Sequence, residues 1–301
     1  MQPVYVYDPY NLGSNIPMTP VAQPQIQGMV GISPGQIVVQ GGIQMAVVQD
    51  PLSELESCTG VTIRQQPEFL EAISGCETEN RYHVYGQTPQ GLKYLFKCQE
   101  KSEWCERCCC PSNIREFNME IQHVINATGQ NLTKKFAEAY KPFKCPFLCC
   151  NRPEIFVNVG EQNNNLIGRI RHIFTCCDPE FEVYESNGNL KYYVHADCCQ
   201  CGLLCANNIC GKFSSALFNV YTPGSNNIVS SISKMSAQSY SELVTDADSY
   251  IVGFPRNATV NDKLLLIALG LMIDYQYFET NSNDEGRGGY GYGYRRRHGY
   301  Y

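Results

Sequence analysis

Between residues 53 and 280 the apolar positions recur mostly with the period of two that a half-buried strand requires. Phe181 and Val183 alternate with polar neighbours ahead of Asn187-Gly188, and Leu190, Tyr192 and Val194 do so after it. Asn-Gly is the favoured hairpin turn because both residues tolerate positive φ. Similar short runs occur at Tyr82–Tyr85, Leu92–Phe96, Ile114–Ile121, Ile155–Val159, Ile167–Phe174 and Ala216–Tyr221, separated by Gly, Asn, Pro or Ser. Many short strands at this spacing predict a mainly β domain, a barrel or a sandwich. Leu132–Tyr140 departs from the pattern: its Lys, Ala and Glu give helix-like propensity where another strand would fit.

One segment is apolar all round. Leu264 to Ile273 carries no polar side chain and follows Thr259 and Asn261, either of which can cap a helix. As a helix these residues rise about 15 Å, against roughly 30 Å of bilayer hydrocarbon. Extension through Phe278 reaches only about 22 Å and brings in Asp274 and Gln276. Length therefore predicts a core helix over about 261–278 rather than one that crosses a membrane.

The ends differ from this middle. Residues 1–52 are rich in Pro, Gly and Gln, with Asp8 and Asp50 as their only charges, and read as a disordered arm. Its single P-x-x-P, Pro17 to Pro20, is the minimal ligand of an SH3 or WW domain; an uncommitted linker is the plainer reading. Residues 281–301 are Gly/Tyr/Arg-rich, include Arg295-Arg296-Arg297, and read as a second disordered tail. Of 301 residues, 43% are hydrophobic and 17% charged, which excludes a wholly disordered chain and a polytopic membrane protein. A net charge of −6 argues against a dedicated nucleic-acid binder.

Cysteine changes the picture more than charge does. There are 17, an odd number, and several are direct neighbours, which makes them awkward disulfide partners. The first basic residue is Arg64, so no charged region of a secretory signal opens the chain, and reduced thiols are expected. Cys105, Cys108, Cys109 and Cys110 form the densest group. Three consecutive cysteines cannot all face one ion, so multiple S-acylation ranks first, plain apolar packing second, and zinc with Cys145, Cys149 and Cys150 third. In Cys198-Cys199-x-Cys201-x₃-Cys205-x₄-Cys210 zinc is a stronger contender, because ligands can converge from one loop, although free thiols fit equally. Asp246 and Asp248 stand like positions 1 and 3 of an EF-hand loop, but Ile251 replaces its Gly and Asn257 its bidentate Glu. They make at best a weak calcium site. No G-x-S-x-G, P-loop or H-E-x-x-H occurs, so no enzyme is predicted.

Taken in order, these residues resemble the phospholipid scramblase family. The likeness runs through Arg64-Gln65-Gln66-Pro67-Glu68-Phe69-Leu70-Glu71, Gly75-Cys76-Glu77-Thr78-Glu79-Asn80-Arg81-Tyr82, the cysteines at 105–110 and Pro142-Phe143-Lys144-Cys145. It continues through Ile232-Ser233-Lys234, Thr245-Asp246-Ala247-Asp248, Phe254-Pro255 and the helix ending at Glu279. The resemblance implies a closed antiparallel β-barrel of the Tubby-like kind around the C-terminal hydrophobic helix, with Leu132–Tyr140 as a strand. It implies palmitoylation at Cys105, Cys108, Cys109 and Cys110, and a calcium segment beginning at Asp246 and Asp248. Its function is ATP-independent, bidirectional movement of membrane phospholipids between leaflets, without covalent chemistry, by a protein acyl-anchored on the cytoplasmic face of the plasma membrane. The family's membrane-crossing helix fits this chain poorly, since the apolar run is short and Arg295–Arg297 would have to be translocated. Two rivals remain at this point: an acyl-anchored lipid-binding adaptor without translocation, and a zinc-binding scaffold on Cys198–Cys210.

Overall fold

The computed structural model of the chain describes residues 50–66, 79–103, 114–127, 130–144, 151–160, 162, 165–204, 215–235 and 249–278. They form twelve strands: β1 (Gly60–Gln65), β2 (Arg81–Thr88), β3 (Gly91–Lys101), β4 (Phe117–Ala127), β5 (Gln130–Lys141) and β6 (Glu154–Val159), then β7 (Asn165–His172), β8 (Glu180–Glu185), β9 (Leu190–His195), β10 (Ala216–Tyr221), β11 (Ile228–Met235) and β12 (Ser249–Gly253). Each strand pairs antiparallel with its neighbours in sequence, and β1 pairs with β12, so the sheet closes on itself. Among the described residues three helices accompany it: α1 (Pro51–Glu56), α2 (Cys201–Leu204) and α3 (Val260–Tyr277). The barrel rather than the sandwich is therefore correct, with the helix at its centre.

Alternation makes the lumen. Tyr82 and Val84 of β2, Phe181 and Val183 of β8, Tyr192 and Val194 of β9, and Tyr250 and Val252 of β12 are all buried, with their neighbours at the outer face. The β8–β9 hairpin turns at Asn187-Gly188, where Gly188 takes φ 85° and its N–H donates to the Glu185 carbonyl. Leu132–Tyr140 lies in β5, paired on both sides with β4 and β6. Ladder bonds on two edges outweigh a helix propensity worth tenths of a kcal/mol per residue.

Helix α3 fills the lumen because it has no polar face to give to solvent: every residue from Asp262 to Tyr275 is buried. Each fully buried Leu or Ile contributes about 1.5–3 kcal/mol relative to exposure. Thr259, not Asn261, caps it, through a reciprocal box. Its hydroxyl accepts from the Asp262 N–H at 3.2 Å, and the Asp262 carboxylate accepts from the Thr259 N–H at 2.8 Å. Lys263, whose pKa burial pulls down, donates to the carbonyls of Leu55, Glu56 and Cys58 at 3.2, 2.7 and 2.9 Å. It thereby satisfies acceptors at the C-terminus of α1 and ties that helix over one end of the barrel. No helix among the described residues is long and apolar enough to cross a membrane.

Candidate functional site at the loop-bearing end

Because all pairings are antiparallel, the connections after β1, β3, β5, β7, β9 and β11 share one end of the barrel, where α3 has its C-terminus. Every cysteine except Cys58 and Cys98 falls in these connections. Those two are buried, and burial raises both thiols, Cys98 to about 12, which leaves them protonated and unreactive.

A buried polar network lies beneath the connections. Glu100 of β3, fully buried, accepts from the Asn80 N–H and Nδ2 at 3.0 Å each, from the Ser102 hydroxyl at 2.6 Å and from Arg115 at 3.4 Å. Lys141 donates to the Arg115 carbonyl at 2.5 Å. The Arg115 guanidinium lies 5.5 Å from the Tyr275 ring centre, and Tyr275 stacks on Phe117 at 4.2 Å. Asp274 of α3 accepts from the hydroxyls of Tyr82 and Tyr250 at 2.6 and 2.5 Å. Removing such charges from water costs several kcal/mol per ion unless hydrogen bonds replace the lost hydration. These bonds replace it, so the network closes this end of the lumen around the helix terminus. Beside it, His172 is buried, bonded to Arg152 at 3.0 Å and to Tyr277 at 2.8 Å; burial and the neighbouring guanidinium hold its pKa at about 3.

On the rim above, the connections after β7 and β9 meet. Cys176 and Cys177 are exposed, and Thr175 donates to the Asp178 carbonyl. The Asp178 carboxylate accepts from the Cys198 N–H at 2.9 Å and stands 3.2 Å from His195 Nε2. The Asp197 carboxylate accepts from the Cys199 N–H at 2.8 Å. The N–H of Cys198 holds Asp178 below the usual carboxylate range, while the Asp178 carboxylate raises the Cys198 thiol to about 12. Ligand atoms of Asp197, Cys198 and Cys199 lie within 4.8 Å of one another. Sequence reasoning singled out Cys198, Cys199 and the nearby His195, but missed Asp178 and Asp197. The pairing of Glu180 with His195 is the missing link, and no spacing along the chain reveals it.

The other sequence-predicted sites lie outside the described residues. Cys105, Cys108, Cys109 and Cys110 belong to the connection between β3 and β4, and Asp246 and Asp248 to that between β11 and β12. Cys145, Cys149, Cys150, Cys205 and Cys210 also lie outside them.

Fold and rim together define a barrel that keeps an apolar helix inside and carries Cys176, Cys177, Cys198 and Cys199 at one end. The chain belongs to the Scramblase family, whose model matches residues 41–280. It is 25% identical over 231 residues to human phospholipid scramblase 1, covering 77% of this chain and 66% of that protein. It is 24% identical to bovine phospholipid scramblase 2, covering 76% of this chain and 71% of the relative. With human phospholipid scramblase family member 5 the identity is 22%, covering 73% of each. No solved structure matches the chain.

Proposed function

We propose that the chain is a phospholipid scramblase, accelerating ATP-independent movement of phospholipids in both directions between leaflets. The observation that carries this reading is the family match over the whole barrel, with relatives named phospholipid scramblases. The barrier to be lowered is transfer of a polar headgroup through hydrocarbon, several kcal/mol or more. No bond need form or break. Because α3 and the Glu100 network fill the lumen, a headgroup has no route through the barrel. The acting surface is then the loop-bearing end and the outer wall next to it, where lipid packing can be loosened. Phe143, Phe174 and Leu217 are exposed at that end, apolar contacts suited to an interface.

S-acyl chains on Cys105, Cys108, Cys109 and Cys110 would hold this end against the cytoplasmic face of the plasma membrane, since two or more chains anchor stably where one does not. Calcium at Asp246 and Asp248, short of a bidentate Glu, would bind at about millimolar or weaker. An SH3 or WW partner at Pro17–Pro20 is a separate proposal, testable with the isolated arm.

The test is reconstitution of the full acylated chain into liposomes carrying a fluorescent lipid, with a membrane-impermeant quencher outside. A scramblase makes the inner-leaflet probe quenchable without ATP, and outward and inward movements speed up equally. Incorporated protein with probe movement no faster than in protein-free liposomes would favour the second reading, an acyl-anchored lipid-binding adaptor. The packed lumen is the specific observation on that side.

A further inference from the structure

We infer that Asp197, Cys198 and Cys199 form a zinc site on the rim of the barrel, distinct from any oxygen-ligand calcium site. The two sulfurs stand 4.0 Å apart. Two thiolates at about 2.3 Å from a tetrahedral zinc stand about 3.8 Å apart, so they need almost no movement. The longer Asp197 side chain, its carboxylate within 4.8 Å of both sulfurs, rotates to complete three ligands where a third neighbouring cysteine could not reach. A water fills the fourth position, as at zinc sites with three protein ligands.

The backbone beneath this trio is fixed before any metal arrives. The Ala196 N–H donates to the Pro179 carbonyl at 3.0 Å, which joins the turn to the start of β8. Gln200 pins the other side, its amide donating to the Leu217 carbonyl at 2.8 Å and accepting from the Leu217 N–H at 2.6 Å. Asp178, bonded to the Cys198 N–H and standing beside His195, supplies a second carboxylate just outside the ligands. Its bond to the Cys198 N–H fixes the backbone of that ligand. The donor set decides the metal: two sulfurs and one carboxylate suit borderline-soft zinc and repel calcium, which takes oxygen ligands. Binding releases the two thiol protons to solvent, and no electron moves.

The site goes beyond lipid movement and stands without it. It predicts that a metal response of this chain has a thiophilic component that survives loss of Asp246 and Asp248. The experiment titrates the full, reduced chain with Co²⁺, followed through thiolate-to-metal charge-transfer absorption, and then displaces it with Zn²⁺ or Ca²⁺. The parent should show this band, Zn²⁺ should abolish it at stoichiometric amounts, and Ca²⁺ should not. Cys198→Ser with Cys199→Ser should remove one equivalent of the band. Cys176→Ser with Cys177→Ser should leave the band unchanged. X-ray absorption of the zinc-loaded parent needs no variant, and two sulfurs at about 2.3 Å are expected. A zinc with four sulfurs, or an undiminished band in the Cys198/Cys199 variant, would overturn the site.

Discussion

His172 ends β7 with its ring between a cation and a phenol. Arg152 can only donate, so the Nδ1 it meets at 3.0 Å is the acceptor, and the Nε2 proton is assigned to the bond with Tyr277. That neutral ring has a pKa of about 3, against roughly 6.5 when unfolded. Between these values the unfolded chain takes up a proton that the native state refuses. This contribution to stability is therefore complete above pH 6.5 and is lost as pH falls toward 3. Loss approaches about 1.4 kcal/mol per pH unit for one proton. His172→Gln keeps an acceptor and a donor and cannot titrate, so urea unfolding should fall less between pH 7 and pH 5 than in the parent. Equal losses in the two proteins would show that the ring does not titrate this way.

Among the elements, β7 is crowded at Gly168 by both β8 and α3. A Cβ there would stand 2.2 Å from the Tyr184 carbonyl oxygen and 2.9 Å from a Leu265 methyl. Backbone cannot yield as a side chain can, so Gly168→Ala should cost about 1–3 kcal/mol or more. Gly270, on α3 itself, would meet only the side-chain ends of Val252 and Ile63 at 3.1 and 3.2 Å. There the gain of about 1 kcal/mol in helix propensity offsets the crowding, and Gly270→Ala should be near neutral. Denaturant midpoints compare the pair, and a Gly270→Ala loss equal to that of Gly168→Ala would refute the ranking. Similar local detail governed what could be read from the sequence. β8, β9 and β10 alternate without interruption and are legible. In β5 a bulge inserts Phe136 beside Ala137, the four residues from Phe136 to Ala139 are all buried, and the period of two breaks. β1 is buried on both faces from Gly60 to Ile63, β11 carries three serines, and β12 has only five residues, so none alternates strongly enough to stand out. The α3 boundaries were legible because length and apolarity are local properties. The Glu100–Arg115 pair was not, because buried and solvated charges look alike along a chain.

At the scale of the molecule, burial of α3 determines what can hold the protein on a membrane. Drawing the helix out would break the bonds of Lys263 to Leu55, Glu56 and Cys58, separate Asp274 from Tyr82 and Tyr250, and empty the lumen. Those losses come from every layer of the barrel at once and are comparable with the whole stability of a domain. The helix therefore stays inside, and on the proposed function attachment would fall to acyl chains on Cys105, Cys108, Cys109 and Cys110. At about 0.8 kcal/mol per buried CH₂, one chain binds marginally and two bind stably, so loss should be graded. Any single substitution among Cys105, Cys108, Cys109 and Cys110 should leave the protein in the membrane fraction. The fourfold Cys→Ser variant should move to the soluble fraction, and hydroxylamine, which cleaves thioesters, should release the parent. If the fourfold variant stayed in the membrane through alkaline carbonate, α3 or the barrel wall would have to be in the bilayer. The lumen-filling role of the helix could then hold only for the protein away from lipid.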